Sequence, residues 1–300
     1  MPDAQPATAD ASSPDRSVAV TFDDLPGAIA GGPPVLRSVT DRLLGHIQTA
    51  GVPAIGFVNE EKLARPGEEA ERTALLERWL EAGMELGNHT YSHPSLYHTP
   101  LAEYQSDVLR GERVTRGLLA ERGMRPPRYF RHPFLNTGPD LETKEAFERF
   151  LAEHGYIVAP VTIDNDDWLY AAAYTEAAAR SDSTLMRRIG EDYVRYMGET
   201  FDFHERLSQE LLEREPAQVL LLHANLLNAD YFDELAAMMR ERGYRFVSLQ
   251  EALKDPVYQL SDRYTGPKGI SWLQRWAITQ GKEEGEPPSV PQWVRAIAQR

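Results

Sequence analysis

One mark recurs along the chain and limits what it can fold into: an amphipathic segment, then a glycine, then a short apolar run. It stands at Gly51-Val52, Gly83-Met84, Gly123-Met124, Gly155-Tyr156 and Gly243-Tyr244. A glycine just past a helix end, with an apolar residue after it, is the signature of a left-handed C-cap with its hydrophobic contact. Leu75, Leu76, Trp79 and Leu80 before Gly83 carry helical spacing, as do Tyr231, Phe232, Leu235 and Met239 before Gly243. The apolar runs at 18–22, 54–58, 128–134, 157–163, 219–222 and 245–247 read as strands. The first four marks lie about 30 to 40 residues apart, the length of one strand-plus-helix unit. Such alternation predicts parallel strands with helices outside, as a barrel or an open sheet.

In both forms function gathers at the carboxyl ends of the strands. Asp23 and Asp24 end the run Val18-Ala19-Val20-Thr21-Phe22, and His89 and His93 come after Met84-Glu85-Leu86-Gly87. Arg131, Pro133 and Phe134 end the Tyr129-Phe130 run. Asp164, Asp166, Asp167 and Trp168 come after Val161-Thr162-Ile163, and His223 after Val219-Leu220-Leu221-Leu222. Every one of these ends carries groups suited to metal ligation or proton transfer.

His89 and His93 are spaced to reach one cation from a single turn or tight loop. Asp24, at its strand end, supplies a third ligand and leaves a coordination position open, as in catalytic zinc sites. A bare His-x-x-x-His pair is equally well two unrelated surface histidines; the other strand-end clusters favour the metal reading. The absence of cysteine removes disulfides, thiolate metal sites and cysteine nucleophiles, and leaves the redox compartment open. A formal net charge of −14 argues against nucleic acid or an anionic membrane as main partner. No apolar run approaches the ~20 residues of a membrane span. Hydrophobic content of 42% with 26% charged residues fits a soluble globular protein.

Residues 1–17, rich in Ala, Pro, Asp and Ser, read as a disordered segment. With no basic start and no apolar centre they are not a signal peptide, but they resemble the loose stretch found just after a cleaved one. Residues 18–254 form the barrel or sheet domain, and 183–215 within it a long scaffold helix that includes His204 as a structural histidine. His46, His98, His132 and His154 also read as structural. Prolines at 267, 287, 288 and 291 break up residues 255–300, while Trp272, Trp276 and Trp293 call for packing. This extension is expected to pack on the body or to join a homodimer.

Five segments in order resemble the motifs of the polysaccharide deacetylase (NodB-like) carbohydrate esterase family: Thr21-Phe22-Asp23-Asp24, His89-Thr90-Tyr91-Ser92-His93, Arg131-His132-Pro133-Phe134, Asp164-Asn165-Asp166-Asp167-Trp168 and Leu220-Leu221-Leu222-His223. The resemblance implies a distorted (β/α) barrel of about seven parallel strands, one divalent metal ion (zinc foremost), and removal of acetyl groups from N-acetylated amino sugars or oligosaccharides. It implies that Asp24, His89 and His93 hold the metal, that Asp23 is the general base, and that His223 is the acid that protonates the leaving amine. Arg131 would orient Asp23, and Asp167 would orient His223, with Asp164 and Asp166 as competitors for that contact. Trp168 and Leu221 would wall the acetyl pocket, and the backbone near Phe134 would help to hold the oxyanion. Family habit implies export to the periplasm or medium.

The chemistry is coherent without the family. An amide needs a strong nucleophile and a protonated leaving group; a metal activates water, and histidine titrates nearest neutral pH. The chain departs from the family pattern at Leu25-Pro26, Leu135, Ala224 and the long acidic segment 164–168. All four are expected to line the cleft and to bear on substrate choice. An O-acetyl esterase of xylan type and a non-catalytic carbohydrate-binding relative are the alternative functions.

Overall fold

The computed structural model describes residues 16–29 and 31–299. The loose segment expected over 1–17 lies outside them up to residue 15. Arg16 and Ser17, by contrast, open strand β1 (Arg16–Leu25) and pair with Tyr244 and Arg245. The chain continues through α1 (Pro33–Thr49), β2 (Ile55–Val58), α2 (Glu69–Glu81), β3 (Glu85–Asn88), α3 (Leu101–Arg110), α4 (Arg113–Glu121), β4 (Tyr129–Phe130), α5 (Leu141–Glu153) and β5 (Ile157–Val158). It ends with α6 (Asp167–Ala179), α7 (Ser183–Leu212), β6 (Gln218–His223), α8 (Leu226–Glu241), β7 (Tyr244–Phe246), α9 (Leu249–Ala252), α10 (Trp272–Thr279) and α11 (Gln292–Ala298).

The glycines at 51, 83, 123, 155 and 243 all have positive φ, between 62° and 83°, so each helix ends as its sequence predicts. The strands are parallel, in the order β5-β4-β3-β2-β1-β6, with β7 on the first residues of β1. A bridge from Ile163 to Leu220 carries the chain after β5 onto β6 and curls the sheet into a distorted (β/α) barrel. Two strands are shorter than their apolar runs. β4 stops at Phe130, because Phe134 and Leu135 take φ of 56° and 49° and the chain bends into a 3₁₀ turn, Pro133–Leu135. β5 stops at Val158, shortly before Pro160, which has no N–H to give a ladder.

Side chains on a strand alternate between its faces. On β1, Val18, Val20 and Phe22 face the helices, as do Leu220 and Leu222 on β6. Phe22 packs edge-on to Trp79 at 5.6 Å, and burial of such a ring contributes on the order of 1.5–3 kcal/mol. Ala19 and Val219 point instead to an inner cluster with Ile55, Phe57 and Tyr129. By the same alternation Thr21, Asp23, Leu221 and His223 lie on that inner face. Asp23 and His223 are register partners where the two strands end.

Beyond α9 the chain returns over the body. Trp272, Leu273 and Trp276 of α10 are buried with Leu135, Val161, Phe203 and Leu221, while Val290 and Val294 join the main core. Arg188 lies 4.2 Å over the ring of Trp293. No helix among the described residues is long and apolar enough to cross a membrane.

Candidate active site

Asp24 sits at the end of β1 with φ 73°, turned out of the strand beside Asp23. His89 comes just after β3, and its loop carries two more positive φ values, Thr90 at 67° and His93 at 60°. Non-glycine residues held there cost of order 1–3 kcal/mol each and persist only when their surroundings fix them. The fixing contacts are visible. Asp107 accepts the N–H groups of Tyr91 and Ser92, both at 2.9 Å, and the Thr90 hydroxyl accepts from His93 N at 3.0 Å. Asn59 donates to the His89 carbonyl.

This strained loop aims both imidazoles at Asp24. His89 Nδ1 is 2.8 Å from the Arg131 carbonyl, which sets the tautomer and turns Nε2 to the site. Nε2 of His89 and of His93 lie 3.9 and 3.7 Å from Asp24 Oδ1, and one ligand atom from each of the three residues falls within 4.8 Å of the others. Asp24 Oδ1 is buried without a hydrogen-bond partner; Lys62 Nζ, 3.3 Å away, lacks hydrogen-bond geometry. Two neutral imidazoles and an orphaned carboxylate oxygen are the donors a divalent cation takes. Burial pulls both histidines down, to about 4 each, so they are unprotonated at neutral pH. Burial alone would raise the Asp24 carboxyl, but Lys62, His223 and His89 outweigh it and hold the group well below the usual carboxylate range.

Asp23 stands beside this trio, its Oδ2 3.7 Å from both His89 Nε2 and Arg131 Nη1. Burial raises its carboxyl above the ordinary value against the opposing pull of Arg131 and His223. Arg131 is fully buried, lies 4.7 Å over the Phe57 ring, and donates from Nη2 to the Thr21 hydroxyl at 2.8 Å. That hydroxyl in turn donates to the Leu220 carbonyl, tying Arg131 to β1 and β6.

At the end of β6, His223 Nδ1 meets Asp167 Oδ1 at 2.6 Å, and Asp167 Oδ2 accepts the His223 backbone N–H at 2.9 Å. Asn228 Nδ2 donates to the same carboxylate at 2.8 Å. Burial would lower the His223 pKa, but Asp167 outweighs it and lifts the imidazole to about 9. Of the three aspartates, Asp167 therefore makes the contact. Asp164 accepts from the Asn165 N–H at 2.9 Å, and burial lifts its carboxyl to about 7. The Asp166 N–H is bonded to the Tyr196 hydroxyl at 3.0 Å.

One cavity of about 650 Å³ opens onto Asp23, Asp24, His89, His93 and His223, and Phe134, Trp168 and Leu221 are among its walls. The Phe134 ring meets that of His93 edge-on at 4.5 Å. Leu135, Asp164, Asp166 and Trp168 line the cavity, but Leu25 and Ala224 do not; both are buried in the main core beside it. Only two of the four departures in sequence thus face the cleft. The walls also include residues that sequence reasoning did not place: His204 and Tyr196 of α7, and Lys268, Ile270, Gln274 and Pro288 of the C-terminal extension. His204 is not a plain scaffold histidine. It is buried, its Nδ1 lies 2.9 Å from the Thr200 carbonyl, and its Nε2 has no partner. No spacing rule finds it, because α7 meets the barrel mouth only through the tertiary fold.

Residues 10–155 match the polysaccharide deacetylase family model, a span that holds Asp23, Asp24, His89, His93, Arg131 and Phe134. The chain is 24% identical over 238 residues to a peptidoglycan-N-acetylglucosamine deacetylase of Bacillus cereus, covering 77% of this chain and 66% of that protein. It is 31% identical over 153 residues to a chitooligosaccharide deacetylase of a Bradyrhizobium species, covering 51% of this chain and 59% of that one. The chain thus spans slightly less than two thirds of the length of each. Among solved structures, a mutant of a CE4 family pseudoenzyme of Bacillus anthracis superposes with a TM-score of 0.54 at 16% identity. That alignment covers 80% of this chain and 67% of the other, and shows a shared fold. The family model, the two relatives and the common barrel agree in kind: over residues 10–155 the chain is similar to the polysaccharide deacetylase family, and it shares the fold of that family's solved members.

Proposed function

We propose that the protein is a metal-dependent hydrolase that removes acetyl groups from N-acetylated amino sugars or oligosaccharides. The observation that carries this reading is the convergence of Asp24, His89 and His93 in one cavity with Asp23 and His223. Deacetylase activity in the names of both relatives supports it. Asp24, His89 and His93 would hold a divalent cation, zinc first among the candidates, which when bound supplies Lewis acidity to the acetyl carbonyl and acidifies water.

The chain's own groups handle the protons. Asp23, raised by burial and steadied by Arg131, accepts a proton from the attacking water as the new C–O bond forms. His223, held protonated by Asp167, gives a proton to the amide nitrogen as the C–N bond breaks, so that acetic acid and a neutral amine are formed and the acid passes its proton to water as it leaves as acetate. Leu221 walls the acetyl pocket, Trp168 stands beside it with its ring open to the sugar, and the left-handed turn at Phe134 brings backbone against the carbonyl oxygen. A peptidoglycan-directed relative supports action outside the cytoplasm, in the periplasm or the medium.

The test is acetate release from a panel of N- and O-acetylated saccharides by zinc-loaded protein, with Asp23→Asn as control. N-acetyl substrates should be turned over and the control should fall by at least a hundredfold. Turnover of O-acetyl esters alone would make the protein an esterase. No acetate from any substrate, in a folded protein that binds zinc, would end the hydrolase reading.

A further inference from the structure

The C-terminal extension is built into the cavity. Gly269 packs directly on the backbone of the Phe134 turn: a Cβ there would fall 1.7 Å from the Phe134 carbonyl oxygen. Asn136 Nδ2 donates to the Pro267 carbonyl at 3.0 Å. Arg275, fully buried, donates to the Leu135 carbonyl and, at 2.9 Å, to the Thr137 hydroxyl. The segment from α10 to α11 then brings Pro287 and Pro288 to the same cavity before Val290 and Val294 return to the core. Both ends of this strap are anchored, and its prolines have fixed φ.

A cleft that binds the interior of a polymer must let the chain leave in two directions. Here one side is walled by the extension. The cavity volume of about 650 Å³ falls in the range of small-ligand sites, roughly 300–1,000 Å³. His204 adds the polar group that such a site needs. Its Nδ1–H donates to the Thr200 carbonyl, so Nε2 is left as a buried acceptor without a donor. An unpaired buried acceptor is costly, and a ligand hydroxyl would satisfy it.

We infer that the cavity takes the terminal unit of a short acetylated saccharide, one or two rings long, with His204 Nε2 accepting a hydrogen bond from a sugar hydroxyl at the end closed by residues 267–288. This rests on the proposed hydrolysis at the same site and narrows its substrate class.

The test is calorimetric titration of zinc-loaded Asp23→Asn protein with the β-1,4 dimer and hexamer of N-acetylglucosamine, alongside acetate release by the unaltered enzyme. The dimer and hexamer should bind with Kd values within fivefold of each other. His204→Leu and the milder His204→Gln should each weaken the dimer at least fivefold with zinc affinity and thermal midpoint unchanged. A hexamer bound more than fivefold tighter than the dimer would overturn the inference, as would His204 variants that bind the dimer normally, or no binding of either sugar. Binding in the expected pattern without acetate release would sink the hydrolase reading and leave the subsite standing. Preferential release from the hexamer would do the reverse.

Discussion

His223 and Asp167 are joined twice, through Nδ1 to Oδ1 at 2.6 Å and through the histidine's own backbone N–H to Oδ2 at 2.9 Å. The second contact clamps the carboxylate to the strand end that carries the ring. Asn228, itself accepting from the Tyr193 hydroxyl at 2.7 Å, fills the remaining position on Oδ2. Asp167 therefore has no freedom to turn away, and the imidazolium form of His223 is favoured over the neutral one.

This ion pair should appear in the pH dependence of stability. The folded pKa of His223, about 9, exceeds its ordinary 6.5. The stabilisation is then complete below about pH 6.5 and is lost as pH rises through 9. Its size is on the order of 3 kcal/mol. Urea unfolding of the metal-free protein should show stability falling across this window, and Asp167→Asn should flatten the fall. In the same variant the alkaline limb of kcat should move toward neutral pH. Parallel slopes in both proteins would remove the pair as a functional element.

Asp24, His89 and His93 set the acid side. His89 and His93 have folded pKa values lowered to about 4 from 6.5. The unfolded chain binds their protons first, so metal-free stability should fall as pH drops from about 6.5 toward 4. Zinc at a hundred times its Kd adds about 2.7 kcal/mol and should raise the thermal midpoint by roughly 5–10 °C at pH 7. His93→Gln should lose most of that rise, and so should wild-type protein treated with chelator. Calorimetric scans with and without zinc decide it; equal midpoints in all samples would show that the three side chains hold no cation.

Lys62 is the group that no motif announces. Its ammonium lies 3.3 Å from Asp24 Oδ1 and the same distance from the Asp24 carbonyl oxygen. A cation there competes with a metal for the same carboxylate, at an energy that partial exposure reduces but does not abolish. Lys62→Met should bind zinc about tenfold more tightly, measured by competition against a chromophoric chelator. Unchanged or weaker binding would mean that the lysine supports the site instead.

The legible part of the fold was what period and punctuation encode. Five glycine caps and the alternation of β1 and β6 place Asp23, Asp24, His89 and His223 at one barrel end from local rules alone. The lengths of β4 and β5 were not legible, since an apolar run does not reveal a left-handed turn at Phe134. Nor was the far wall of the cavity. His204 reaches it from the middle of a 30-residue helix, and Gly269 and Pro288 from an extension whose path is set by where Trp272 and Trp276 find a core. Leu25 and Ala224 differ the other way: proximity to the paired aspartates and to His223 in sequence put them at the cleft, while the left-handed turn at Asp24 flips Leu25, and continued alternation after Leu222 turns Ala224, into the core behind it.

Trp168 separates binding from folding most cleanly. The sequence puts it at the cavity wall, and the structure gives it 54% exposure there. An aromatic face open to a cleft is a platform for the apolar face of a sugar ring. Little of its surface supports the core, so Trp168→Ala should change unfolding free energy by about 0.5 kcal/mol or less. It should raise KM about tenfold, equivalent to about 1.4 kcal/mol of binding, and leave kcat within twofold, because the ring would be touched equally in ground and transition states. Trp168→Phe should recover most of the KM. Steady-state kinetics on a short N-acetylated saccharide, with urea midpoints for all three proteins, provides the check. A fall in kcat at constant KM would place the ring against the reacting acetyl group, and a loss of stability above about 2 kcal/mol would return it to the core.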